Sequence, residues 1–430
     1  MVSSVPYWWE EAPPLSLPQT PVLAKCDIVI VGAGYTGLGA ALELARAGRQ
    51  VQVFDRQRPG EGASTRNGGI ASGNLRPSHQ VMHRRFGAAR ANAIQAEAKA
   101  AREDLADFIK REGIACDFQL VGRFTGAAKP SEYESLAREA EHLSKTLGIE
   151  AYAVPRPEQR SVLGTEFYHG GMVRKDIGGL HPAKLHRGML EAARKAGVLV
   201  HGETEVKGFV ARNGGFEVDT ARGKVQASHV IMGTNGYTNG VDPWLRRRLV
   251  PVRSRIIATA PLSNNLMSEL MPKRVMCSET RKLHYYYRPS PDGTRILFGG
   301  RDGTIAGDPV WPTDSLRRAL ADIFPVLDGV DITHSWYGYV AMNRDMIPRI
   351  FSREGTRYAA GYCGSGVVWA RWAGQKAAWL VLGDERGRSA LDFRPPPSIP
   401  LFNGTPWFLP AVYAWMTLRD RIDHGSRARR

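Results

Sequence analysis

The sequence predicts an α/β fold in which a parallel-sheet, nucleotide-binding domain is interrupted by an antiparallel-sheet domain. Three observations predict it. A strand–helix–strand pattern fills "CDIVIVGAGYTGLGAALELARAGRQVQVFDR" at 26–56. A strand–glycine turn–helix pattern returns at 356–383. Between them, from 250 to 340, short strands and turns dominate.

Each element has a local reason. Residues 27–31, "DIVIV", form a β-branched apolar run suited to a buried parallel strand. "GLGAALELARA" at 37–47 has helical composition, and Gly48 stands where a helix stops. "VQVFD" at 51–55 is the second strand. Helices are expected over about 90–112, 133–147 and 182–197. Short strands follow, with a turn at "NGG" (213–215), and the apolar run in 227–237 can join the first sheet. "VPVRSRIIATAPL", "HYYYRPS" and "TRILFGGR" read as antiparallel strands with a turn at "SPDG", and "ITHSWYGYV" (332–340) continues them. The tail is proline-rich from 394, and "PWFLPAVYAWMTLRDRID" is expected to be a terminal helix packed on the body. The alternative is a membrane-surface helix. The boundaries drawn are 20–85, 165–245 and 330–395 for the nucleotide domain, 86–164 and 246–329 for the inserted domain, and 396–430 for the tail.

The totals narrow the class. A chain of 430 residues with 43% hydrophobic and 23% charged residues has ordinary globular composition. No apolar run approaches the ~20 residues that span a bilayer. "MVSSVPYWWEEAPP" lacks the basic and apolar regions of a secretory signal. Cys26, Cys116, Cys277 and Cys363 have neither metal-type nor disulfide-type spacing, so a reducing cytoplasm is the simplest compartment. His79 and His83 are spaced i,i+4 without a third ligand, and no metal is expected. The net charge is +16, but the basic residues are spread out apart from "RRR" at 246–248 and the terminal "RARR". No nucleic-acid partner is therefore expected.

The opening stretch carries chemistry. Gly32, Gly34 and Gly37 have G-x-G-x-x-G spacing in the Rossmann-like context of strand before and helix after. The first glycine allows the tight turn, the second the approach of a pyrophosphate, and the third close helix–sheet packing. The helix start then offers free N–H groups and about half a positive charge to phosphates. Asp55, with Arg56 beside it, ends the second strand, where a carboxylate can accept from a ribose diol. A glycine turn without a ligand is the alternative. "GEGASTRNGGIASG" (60–73) offers small residues around Arg66 and Asn67, suited to a planar group lying against backbone. "GYCGSGVVWA" (361–370) supplies a second glycine turn before a helix, able to stabilise negative charge on a reduced ring.

These segments, with "SVPYWWEEAPP", "GGLHP" (178–182), "GTNGYT" (233–238), "DGTRILFGGR" (292–301) and "WYGYVAMNRDMIPRI" (336–350), resemble the D-amino-acid-oxidase superfamily of FAD-dependent oxidoreductases. More closely, they resemble bacterial members similar to gamma-glutamylputrescine oxidase. The resemblance implies a glycine-oxidase-like, two-domain fold, a tightly held FAD, and oxidation of a C–N bond to an imine by hydride transfer to flavin N5, followed by hydrolysis. It places Gly32, Gly34 and Gly37 on the FAD pyrophosphate and Asp55 on the ribose. Ser64, Arg66, Asn67, Gly68 and Gly69 would run beside the flavin, and Gly364, Ser365, Gly366 and Val367 would face its pyrimidine side. Two departures stand out. The arginine and proline that amino-acid oxidases of the superfamily carry after W-x-G are here Val340 and Ala341. "YGYVAMN" lacks the cysteine that links flavin in related sarcosine oxidases, so non-covalent FAD is expected.

In "LHYYYR" (283–288), alternation puts His284 and Tyr286 on one strand face, and Tyr285 and Tyr287 on the other. An aromatic face can hold an amine by cation–π contact. Further candidates are Arg253, Arg301, Trp336 and, in "GGLHP", His181. Arg253 or Arg301 could bind a distal carboxylate. Each of these side chains has an ordinary packing role as its alternative. The expected substrate is a secondary amine or an amine bearing an acyl or carboxyl group, with oxygen or a quinone as electron acceptor. A homo-oligomer is left open. A D-amino-acid oxidase or dehydrogenase, and an RNA-associated flavoprotein, are the rival readings.

Overall fold

The computed structural model describes residues 2–424 apart from residue 213 and residues 302–309. Asn213 of the expected turn and the terminal "RARR" lie outside the described residues. The first sheet runs β17 (Arg349–Arg353), β18 (Thr356–Ala360), β11 (Gly223–Met232), β1 (Lys25–Val31), β2 (Val51–Phe54), β8 (Leu199–His201). β1 pairs in parallel with β2 and β11, and the latter takes in the first half of the 227–237 segment that the sequence allowed to join this sheet. β9 (Val206–Arg212) and β10 (Gly215–Thr220) extend this sheet from β11 as an antiparallel ribbon. Ile28, Val29 and Ile30 are buried on both faces of β1, which only the middle of a covered sheet permits.

Helices α1 (Tyr35–Arg46), α3 (His79–Arg111), α5 (Pro182–Lys195) and α9 (Gly366–Leu382) share one core with β1 and β2. α1 begins two residues before the expected 37, and Gly48 follows its end at φ +74. α3 begins at 79 rather than 90, kinked where Gly87 takes φ 80. α1 and α9 touch backbone to backbone. A Cβ on Gly374 would sit 2.1 Å from the Thr36 carbonyl oxygen, and one on Gly39 2.9 Å from that of Arg371.

The second sheet runs β16 (Ile332–Met342), β12 (Val250–Thr259), β15 (Ile296–Arg301), β14 (Tyr286–Pro289), β13 (Met276–Glu279), β4 (Arg123–Gly126), β6 (Gly171–Arg174), β5 (Ala151–Val154). One face packs on α7 (Asn264–Leu270) and α8 (Val310–Ile323), with Tyr285 and Tyr287 in that core. α4 (Pro130–Leu147) packs near β6, and α6 (Pro243–Arg246) joins the core behind the first sheet. A two-stranded piece, β3 (Ile70–Ala71) with β7 (Gly178–Gly179), and the short α2 (Ala63–Arg66) lie between the sheets in sequence. Strand pairing moves the boundaries drawn at 165 and 330. β6 and β16 hydrogen-bond into the second sheet, while α3, drawn into the inserted domain from 86 onward, packs in the first core.

The tail ends in α10 (Leu409–His424), as expected. Asp420 accepts from the backbone N–H groups of Lys282 and Leu283, tying it to the body. Trp415, Leu418 and Ile422 remain exposed along it. Among the described residues no helix is long and apolar enough to cross a membrane.

Candidate active site

Two cavities meet between the sheets. The first, about 1210 Å³ with its mouth, is walled by Gly32, Gly34, Asp55, Arg56, Gly364 and Gly366, among others. Two helix N-termini open onto it. The N-cap of α1 is Gly34 and that of α9 is Ser365, and neither side chain caps its helix. Ser365 Oγ donates to the Asn74 carbonyl instead. First-turn N–H groups have no partner within their own helix and need one from outside, which Ser64 Oγ supplies for Tyr35 of α1 and a ligand can supply for the rest. Together with the positive helix ends, they suit an anionic, extended ligand.

The glycine loop is braced from both sides. Ala33 N–H donates to Asp55 Oδ2 at 2.8 Å, and Ala33 O accepts from His186 Nε2 at 2.7 Å. A carbonyl only accepts, so His186 carries its proton on Nε2. Burial pushes His186 down to about 4, leaving it neutral. Asp55 Oδ1 accepts from Gln57 N–H at 3.0 Å. Burial raises the Asp55 carboxyl, although the N–H groups of Gln57 and Ala33 favour its charged form. Gly37 packs beneath this loop, where a Cβ would stand 1.9 Å from Gly32 O.

Residues 60–73, expected to be a loop of small residues, contain α2 and β3. Three tryptophans hold the segment. Trp8 Nε1 donates to Asn67 O at 2.8 Å, Trp9 Nε1 to Thr65 Oγ1 at 2.9 Å, and Trp336 Nε1 to Arg66 O at 3.0 Å. Ser64 Oγ accepts from Tyr35 N–H at 3.0 Å, fastening α2 to the start of α1. A Cβ on Gly34 would approach that oxygen to 2.8 Å.

The second cavity, about 1630 Å³ with its mouth, shares Asn67, Val340, Cys363, Gly364 and Val367 with the first. Its wall is the other face of the second sheet: Tyr286, Ser254, Arg301, Arg123 and Thr125, with His284 just before β14. Arg76 Nη1 donates to His284 Nδ1 at 3.2 Å, and Arg76 Nε to Cys363 O at 3.1 Å. Burial first, then the Arg76 and Arg301 charges, hold His284 well below the usual histidine range. Arg76 and Arg123 are each lowered to about 10, chiefly by burial and then by a neighbouring arginine, so both stay charged at neutral pH. The Tyr286 hydroxyl lies 3.0 Å from Ser254 Oγ.

The expected residues therefore divide. His284, Tyr286 and Arg301 line the second cavity together, as do Arg66, Gly68 and Ser365. Ser64 lines the first, and Asn67, Gly364 and Val367 line both. Gly37 and Gly69 line neither; Gly69 turns at φ +66 against Leu180 O. Trp336 is fully buried behind the 65–67 segment and acts by holding it. His181 caps α5, accepting from Lys184 N–H at 3.2 Å, and stacks edge-on against Trp8. Arg253 stacks on Tyr337, 4.5 Å from its ring centre, away from both cavities. Sequence reasoning missed Arg76, Arg123 and His186. Nothing local marks the arginines, and His186 reads as one more core position of an amphipathic helix.

The chain is similar to known proteins over most of its length. A family model described as FAD dependent oxidoreductase, DAO, matches residues 27–380. A probable oxidoreductase OrdL of Rhizobium meliloti is 32% identical over 97% of this chain and 98% of its own. The gamma-glutamylputrescine oxidoreductase of Escherichia coli is 31% identical over 92% and 93%. Among solved structures, glycine oxidase from Geobacillus kaustophilus superposes with a TM-score of 0.72 at 20% identity, covering 88% of this chain and 99% of that one.

Proposed function

The chain belongs to the DAO family of FAD-dependent oxidoreductases, and from that membership we propose that it oxidises the C–N bond of a small amine to an imine, which water then hydrolyses. The amine is secondary, or bears an acyl or carboxyl group. The observation that carries the reading is the pair of helix N-termini, neither capped by its own N-cap residue, opening on one cavity that continues into a second, cation-lined one. The fit to FAD rests on the same feature. Gly34 leaves the start of α1 open, and Asp55 and His186 fix the loop between. Gly32, Gly34 and the first turn of α1 would hold the pyrophosphate, Asp55 the ribose, and the segments 64–68 and 364–367 the flavin ring. FAD, when bound there, supplies the two-electron acceptor for the hydride that leaves the amine's α carbon.

The protein's own residues then need only hold a free amine and keep water out. A cationic wall disfavours the protonated amine, because like charges repel in a desolvated cavity. His284 is neutral with Nδ1 accepting from Arg76, so it adds no further charge. Val340, where related oxidases carry arginine, leaves that corner apolar.

Anaerobic mixing of the holoenzyme with a panel of amines is the test. A carboxyl-bearing amine should bleach the flavin absorbance; if no amine in the panel does, the proposal fails. FAD should be held without a covalent bond. Cys363, at the junction of the cavities, donates its thiol to Gly361 O, and burial pushes it up to about 11, away from the nucleophilic thiolate. Acid precipitation should leave a white pellet and all the flavin in solution; a yellow pellet contradicts this.

A further inference from the structure

The second cavity is more cationic than a monocarboxylate amine requires. Arg76 arrives from the loop before α3, Arg123 from β4 and Arg301 from β15, three separate stretches of chain converging on one wall. The charges stand close enough to act on a common neighbour, since each of the three depresses His284. Of the acids near them among the described residues, Glu139, which acts on Arg123, is exposed on α4, and two others are committed elsewhere. Glu279 lines the same cavity, but both its oxygens accept from Arg281, at 2.7 and 2.6 Å, with Tyr168 and Tyr285 N–H completing its shell. Asp176, close to Arg123, is bridged to Arg102 and Arg174. Arg123 Nε is buried without a hydrogen-bond partner. Arg76 spends its bonds on a carbonyl and a neutral imidazole, neither of which offsets its charge.

A ligand that fills the cavity covers these partly exposed guanidinium groups, and covering a charge is costly unless the ligand brings the counter-charge with it. One carboxylate leaves two of the three cations unmatched; a dianion leaves one. Arginine's fork also suits two-oxygen anions better than any other side chain.

We propose that Arg76, Arg123 and Arg301 form a cradle for an amine substrate carrying two negative charges, an amino dicarboxylate in the first instance. The assignment rests on the amine-oxidation reading above. It also stands in for the arginine that Val340 replaces: the anion is gripped from β4, β15 and the loop before α3 instead.

The test separates the two readings by measuring binding without turnover. The oxidised holoenzyme is titrated with malonate, glutarate, acetate and inorganic phosphate, following the flavin spectrum and the melting temperature. Malonate or glutarate should bind at least tenfold more tightly than acetate, and phosphate shows whether two charges on one group suffice. Arg123→Met and Arg301→Met should each weaken dicarboxylate binding at least tenfold, with Arg301→Lys recovering part of it. In turnover, Arg123→Met should raise KM for an amino dicarboxylate while changing kcat little. If the variants fold poorly, competition on the native enzyme still decides: malonate must inhibit amine oxidation far more strongly than acetate. Equal binding of acetate and malonate overturns the cradle. So does a variant with unchanged anion binding but a shifted flavin potential, which would give the arginines to the cofactor. If dicarboxylates bind and no amine bleaches the flavin, the cradle stands and the oxidation reading falls.

Discussion

Asp55→Ala is expected to yield protein that holds FAD at least tenfold more weakly and melts at a lower temperature with and without added flavin. The carboxylate has two tasks. It stands in the cavity wall, at the end of β2, where on the proposed reading it would accept from a ribose diol. It also accepts from Ala33 N–H, whose residue is fully buried. Removing it orphans that donor, at a cost of about 1–3 kcal/mol in the absence of any cofactor. A tenfold loss of affinity adds about 1.4 kcal/mol of lost binding. The gap between apo and holo melting temperatures should therefore shrink, because ligand linkage stabilises only through occupancy. Asp55→Asn keeps one acceptor oxygen and should fall between alanine and the native protein. The checks are visible absorbance per protein after gel filtration and melting curves with and without excess FAD. Native flavin content together with a native melting point for Asp55→Ala would refute the assignment.

Gly374→Val is expected to be more damaging still, and to lose flavin although it touches none. Its Cβ meets the Thr36 carbonyl oxygen at 2.1 Å, the Thr36 carbonyl carbon at 3.0 Å and the Ala40 nitrogen at 3.1 Å, all backbone atoms of α1. No rotamer relieves such a clash, so α1 and α9 must separate. Overpacking of this kind typically costs ~1–3 kcal/mol, and a clash with fixed backbone stands at the upper end or beyond. The separation also pulls apart the two helix N-termini that share one cavity. Gly208→Ala is the matched control: nothing lies within 4 Å of its added Cβ, and its stability should stay within ~0.5 kcal/mol of native. Soluble, fully flavinated Gly374→Val would show that the close approach of the helices is dispensable.

Much of this architecture is legible in the chain because its signals are local. "DIVIV", the spaced glycines and the helix after them encode strand, turn and helix within thirty residues. Alternation in "LHYYYR" separated His284 and Tyr286 from Tyr285 and Tyr287, and the cavity and the core divide them the same way. Where the reading strayed, the cause is again physical. A domain boundary is a matter of which strands pair: β6 is not read as a strand, and "ITHSWYGYV", read as continuing the antiparallel strands, is still drawn with the nucleotide domain. Trp336 and His181 look like pocket residues by type and neighbourhood, but each is spent on a backbone contact behind the site.

The sequence by itself determined the dinucleotide-binding unit, its second helix start and the kind of cofactor they suit, since hydrogen-bonding geometry and side-chain period act over a few residues. Only the tertiary structure decided that Arg76, Arg123 and Arg301 line one open cavity together, and that His186, 153 residues from Ala33, locks the glycine loop. Long-range electrostatics and packing depend on distances through space, and those are fixed only once the two sheets have closed on each other.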